Sequence, residues 1–107
     1  MWQEVLFMSD AVYSIPKIVS LLTPVFETYK VKKAVLFGSY AKGNAAKNSD
    51  VDILVDSGMQ GMAFFGLVED IITALDKEAD VLDVSQIVPD SEVEHEINKT
   101  GVLIYGN

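Results

Sequence analysis

An α/β domain built on a small mixed sheet, with helices covering mainly one face, follows from three features of this sequence. Apolar runs of strand length lie near 33–37, 51–55, 79–87 and 102–105. Segments of helical period fill the intervals between them. Half of the 107 residues are apolar, which supports one core and argues against disorder. Strands interleaved with helices pack as sheet-and-helix layers, so a single domain over 1–107 is expected.

The elements follow in order. Residues 1–12 show no firm period and are left unassigned. From Ile15, the residues Ile18, Val19, Leu22, Phe26 and Tyr29 recur at three- and four-residue steps and predict an amphipathic helix. Ser14 and Pro16 suit its first turn, while Pro24 removes one helical hydrogen bond and is expected to kink or split it. Ala34–Phe37 reads as a buried strand, ended abruptly by Gly38-Ser39, with a short helix at Ser39–Lys42. Gly43–Ser49, with two asparagines and no large apolar residue, is a loop. A second strand covers Val51–Val55. Met62, Phe65, Val68, Ile72 and Leu75 then mark a second long helix. Ala79–Ile87 reads as a third strand, with Val81, Asp83 and Ser85 on one face. Pro89 and Asp90 open a last helix with Val93 and Ile97 inward. Gly101 ends it before a short fourth strand at Val102–Tyr105.

Composition narrows the function. No cysteine is present, which rules out disulfides and thiolate metal sites and suits a reducing cytosol. The apolar runs are too short to span a membrane, and the N-terminus lacks a basic start followed by a long apolar stretch. A cytoplasmic location is the expectation. The formal net charge is -8 and every basic residue is a lysine. Affinity for nucleic acid comes largely from basic side chains on phosphates, so direct binding of DNA or RNA is not expected. An acidic surface favours a basic protein partner or simply solubility.

Chemistry concentrates between Val35 and Asp56. Side chains two apart on a strand share a face, their Cα atoms about 6.5–7 Å apart. Asp50 and Asp52 therefore lie together while Val51, Ile53 and Val55 face the other way. Two carboxylates about 6 Å apart repel by roughly 3 kcal/mol at an effective dielectric near 20. A hard divalent cation with oxygen ligands is the natural relief, Mg²⁺ first. Upstream, Gly38-Ser39 offers backbone N–H groups and a hydroxyl at a helix start, which suits phosphate. A phosphate cradle beside a dicarboxylate site describes phosphoryl or nucleotidyl transfer. An EF-hand reading fails because Ile53 and Leu54 stand where polar ligands and glycine belong. A Walker A reading fails because Asn44-Ala45 follows Gly43. Asp56 shares the face of the pair but falls at the strand end. His95 sits among glutamates on the polar side of the last helix.

Gly38-Ser39, Gly43 and Ser49-Asp50-Val51-Asp52 before an apolar strand resemble the nucleotidyltransferase superfamily that includes DNA polymerase beta. The small size points to the minimal nucleotidyltransferase branch, the antitoxin-like partners of HEPN-domain proteins. The resemblance runs from about Ile15 to Tyr105 and implies a polymerase-beta-like fold. It assigns Asp50, Asp52 and Asp83 as catalytic carboxylates and ligands to two Mg²⁺ ions, with Mn²⁺ as an alternative. Asp80 is a weaker candidate for the third. It places Gly38, Ser39, Lys42, Gly43 and Ser49 at the nucleotide, Gly38 bare so that backbone can approach the triphosphate. Lys42 and Lys47 are candidate phosphate or entrance charges. Lys42 stands where many relatives carry arginine, and it meets phosphate as a point charge without the bidentate fork.

The implied activity is transfer of AMP from ATP to a hydroxyl. A chain of this size is expected to lack an acceptor domain, so another polypeptide would present the acceptor. Within the resemblance that acceptor is a tyrosine of a HEPN-type toxin, with self-association a further possibility. Two alternatives stay open: modification of a small hydroxylated molecule such as an antibiotic, and an antitoxin that masks its partner by binding alone.

Overall fold

A computed structural model describes residues 11–106. Most of the unassigned segment, residues 1–10, therefore lies outside the described residues. Helix α1 (Ile15–Thr28) is followed by strand β1 (Lys33–Phe37), the short helix α2 (Gly38–Lys42) and strand β2 (Val51–Asp56). Helix α3 (Gly61–Leu75), strand β3 (Ala79–Asp83), helix α4 (Glu92–Thr100) and strand β4 (Val102–Gly106) complete the order. The sheet runs β3-β2-β1-β4. β1 is antiparallel to both β2 and β4, whereas β2 and β3 are parallel. The sheet is thus mixed, as expected.

One face of the sheet holds the core. Ile18, Leu22 and Phe26 of α1 and Leu67, Ile71 and Leu75 of α3 are buried with Ala34, Leu36, Val51, Ile53 and Val55. The three- and four-residue steps in the helices and the alternation in β2 (buried at 51, 53 and 55) are the two periods that bring these side chains to one layer. Ser14 caps α1, its hydroxyl accepting from the Lys17 amide at 3.2 Å. The Tyr29 hydroxyl ties α1 to α3 by donating to Asp70 at 2.6 Å.

Three expectations change in detail. α1 runs through Pro24 without splitting, because Pro24 and Ser20, whose carbonyl loses its partner, both lie on the exposed side. β3 stops at Asp83, and Val84–Gln86 form a 3-10 turn instead of extending the strand to Ile87. α4 begins at Glu92 with Ser91 as its cap, later than Pro89-Asp90. Its Val93 is exposed and only Ile97 turns partly inward. α2 continues from the end of β1 and sends Tyr40 into the core, whereas α4 lies on the opposite, open face, where Ile97 meets Val35, Leu54 and Leu103.

Candidate active site

The site begins where β1 meets α2. Phe37 ends the strand in an extended conformation, and Gly38 turns the chain at φ 72° to open the short helix. A left-handed φ strains any residue with a side chain, so glycine fits for conformational reasons. It fits for a second reason as well: a methyl group on Gly38 would run into the Asp52 carboxylate. Gly38 is bare to seat a carboxylate, a tertiary reason that differs from the expected approach of backbone to triphosphate. Gly43, at φ 80°, ends α2 as its left-handed cap, with its N–H on the Ser39 carbonyl and open space about it.

Pairing sets the carboxylates. In the β1–β2 register Phe37 lies opposite Asp52, and in the parallel β2–β3 register Asp52 lies opposite Asp80. Partners in register point to the same side of a sheet, so Asp52 and Asp80 share the open face. Asp50 joins them from just before β2. The Asp52 carboxyl is pushed up to about 6, first by burial, then by the charges of Asp80, Asp50 and Glu96, against the opposing pull of Lys42. These five side chains therefore form one electrostatic unit.

Asp83 is not part of it. It stands opposite Val55, on the core face, and is 4% exposed. Its Oδ1 accepts from the Ser57 amide at 3.0 Å and the Ser57 hydroxyl at 2.6 Å. Its Oδ2 accepts from the Ser85 amide at 2.9 Å and the Ser85 hydroxyl at 2.7 Å. Burial pushes this carboxyl up, yet the hydrogen bonds from Ser57 and Ser85 outweigh it and hold it down at about 2. The Asp83 amide in turn donates to Gln86 Oε1 at 2.8 Å. Asp83 thus bolts the end of β2 to the 3-10 turn, and the expectation that it is the third site carboxylate is corrected. Asp80 occupies that place. Parallel pairing, which the sequence does not display, puts Asp80 beside Asp52 and turns Asp83 away.

The remaining residues divide. Ser39 lies in the first turn of α2, half-buried beside Gly38. The Lys42 ammonium pairs with Glu96 of α4 at 3.1 Å. Ser49 holds the loop before Asp50, its hydroxyl accepting from the Ala46 amide at 2.9 Å. The Lys47 carbonyl accepts from Lys77, a buried ammonium that also lies 5.6 Å over the Tyr13 ring. Glu96 is a site neighbour that local sequence does not reveal, since it reaches Lys42 only through the packing of α4. His95 pairs with Asp90 at 2.7 Å in an exposed position away from this group.

Among the described residues no three acidic or histidine side chains converge into a ready-made metal cage. Mg²⁺ takes one or two carboxylates and completes its shell with water and phosphate oxygens. The donor set of Asp50, Asp52 and Asp80, all oxygen and mutually repelling, fits such a cation.

A glycine turn at a helix start, set against strand carboxylates on an open sheet face, is the arrangement of a nucleotidyltransferase site. Residues 21–107 match the family described as Polymerase beta, Nucleotidyltransferase, and the chain belongs to it. A relative from Methanocaldococcus jannaschii, provisionally described as a protein adenylyltransferase, is 38% identical over 71 residues. The alignment spans 64% of this chain and 75% of that protein. Among solved structures, a toxin–antitoxin complex with AMP-PNP superposes with a TM-score of 0.66 at 28% identity, over 89% of this chain and 75% of its counterpart. A second, the tri-AMPylated HEPN toxin of Shewanella oneidensis in complex with its MNT antitoxin, gives 0.64 at 21% identity, over 87% and 73%. At that identity the likeness is one of fold.

Proposed function

We propose that this chain transfers AMP from ATP to a protein hydroxyl, the acceptor being a tyrosine of a HEPN-type toxin that is silenced by the modification. The observation that carries the reading is the seating of Asp52 against Gly38, with Asp80 in register beside it and Asp50 adjacent. The names of the relatives support it: one is described as an adenylyltransferase acting on protein, and a structure 28% identical is a toxin–antitoxin complex with AMP-PNP.

The chain's own groups have distinct parts. Ser39, with the N–H groups at the start of α2, hydrogen-bonds the β- and γ-phosphates. Lys42 adds one positive charge on that side. Asp50 and Asp52 would hold Mg²⁺, or Mn²⁺ in its place, and Asp80 would share it on the acceptor side. Enzymes of this family generally use divalent metal ions, and such an ion supplies charge stabilisation for the phosphates in the transition state. The acceptor oxygen forms a bond to the α-phosphorus as the bond from that phosphorus to the α–β bridging oxygen breaks, and pyrophosphate leaves. Asp80 accepts the proton of the attacking hydroxyl.

The test mixes the chain with a HEPN-type partner, ATP and Mg²⁺ and records intact masses. The partner gains whole adenylyl units, and the Asp50→Asn/Asp52→Asn double variant adds none. A partner inhibited equally by both forms without any mass change would establish masking instead. Labelling of small hydroxylated antibiotics in place of the partner would establish the drug-modifying alternative.

A further inference from the structure

The row of side chains next to Asp52 on the open face is apolar. Leu54 stands two residues along β2 and pairs with Val35, which pairs in turn with Leu103 of β4. These three form the floor of a cavity of about 440 Å³, walled by Ile97 of α4 on one side and Val84 of the 3-10 turn on the other. Lys33 and Asp56 close its far end. Successive side chains on one strand face are about 6.5–7 Å apart, so the cavity starts a single row from the Asp52 carboxylate. A tyrosine side chain is long enough to cross one such row.

Its chemistry selects the occupant. Leu103 is 48% exposed and Val84 42%, so the cavity opens to solvent between two apolar side chains. The floor of Val35, Leu54 and Leu103 suits a flat apolar ring better than a polyhydroxylated molecule, whose hydroxyls find side-chain partners only at Lys33, Asp56 and Asn98 around it. Within the lining Lys33 and Asp56 balance, but on the adjoining part of the face Asp50, Asp52, Asp80 and Glu96 outweigh Lys42, and the chain carries -8 overall. Polyanions are repelled by that field, whereas lysine- or arginine-bearing segments are drawn to it.

We infer that this cavity is the acceptor's docking site and that its occupant is a basic protein segment presenting an aromatic hydroxyl, which lies ring-down on Leu54, Val35 and Leu103 with its oxygen toward Asp52 and Asp80. The inference rests on the adenylyl-transfer reading for its purpose and on the apolar row for its location.

Binding is measured directly so that docking and chemistry fail separately. A fluorescent peptide with one tyrosine between lysines is titrated into the wild-type chain, Leu103→Ser and Val84→Ser, with AMP-PNP and Mg²⁺ present. Both variants weaken the peptide about tenfold. Their affinity for AMP-PNP, followed by calorimetry, stays within twofold of wild type, and the matched peptide flanked by glutamates does not bind. Two variants on separate elements guard against a local folding defect, which a thermal melt of each reveals. Absence of saturable binding, equal binding by both variants and wild type, or equal affinity for the acidic peptide overturns the site. Peptide binding that depends on Leu103 and Val84, without adenylyl gain on the peptide or a HEPN-type partner, upholds the docking site and overturns the transfer reading.

Discussion

Two aspartates three residues apart on one strand have opposite fates here. Asp80 lies on the open face beside Asp52, whereas Asp83 lies in the core with four hydrogen-bond donors around it. Their substitutions should therefore separate activity from stability. Asp80→Ala removes turnover while its thermal melt stays close to wild type, since an exposed carboxylate leaves no buried partner behind. Asp83→Ala strands the amides and hydroxyls of Ser57 and Ser85 and destabilises the fold by about 1–3 kcal/mol. Melts and single-turnover assays of the pair check both halves; turnover lost in Asp83→Ala with an unchanged melt would reverse the assignment. Asp52→Asn has a third signature. It abolishes transfer, and because its charge is opposed by Asp80, Asp50 and burial, it raises the melting temperature of the metal-free protein at neutral pH.

At the scale of elements, α2 and α4 are coupled by the Lys42–Glu96 pair at 3.1 Å. Both side chains remain partly in solvent, so the pair itself adds little stability. Its weight falls on the nucleotide. Glu96 engages the cation nearest the phosphate turn and adds one more negative charge to the group around Asp52. Glu96→Gln frees Lys42 and removes that repulsion, so AMP-PNP with Mg²⁺ binds several-fold more tightly, with little change in melting temperature. Lys42→Met moves affinity the other way. Calorimetric titration of the two single variants and the double variant measures the coupling. Tighter binding in Glu96→Gln that persists in a Lys42→Met background would assign the effect to the carboxylate's own repulsion.

For the whole molecule, the two shifted carboxyls give stability a shape in pH. Asp83 is held at about 2, below the ordinary 3.8, so its stabilisation is present above pH 4 and is lost as pH falls toward 2. Asp52 is raised to about 6, so the folded chain holds that proton more tightly than the unfolded chain. Its contribution is fully present below pH 3.8 and is lost as pH rises through 6. From these two groups the metal-free protein is most stable near pH 4 and loses stability on both sides. With Mg²⁺ and AMP-PNP the decline between 4 and 6 disappears, because bound cation favours the ionised carboxylate. Melting temperature from pH 3 to 8, with and without the ligands, tests the pattern. A decline that persists unchanged with ligand would remove Asp52 from the metal site.

The layer architecture and the candidate site are both legible in local patterns of the chain. Period-2 and helical patterns are local properties, and they bring Leu22, Ile53 and Ile71 to one core whatever the order of the strands. Gly38-Ser39 and the Asp50/Asp52 alternation are also local, since a turn and a strand pleat act over a few residues. Which third carboxylate faces the pair depends on strand pairing. Asp80 and Asp83 both sit in an apolar run, and nothing in that run says which side of β3 is covered. Parallel pairing to β2 fixes this, because the side a strand residue faces depends on the register of its neighbour, which is set by packing from far along the chain. The same reason governs Gly38, whose missing side chain is required by an aspartate on another strand, and Glu96, which reaches Lys42 only once α4 has crossed the sheet.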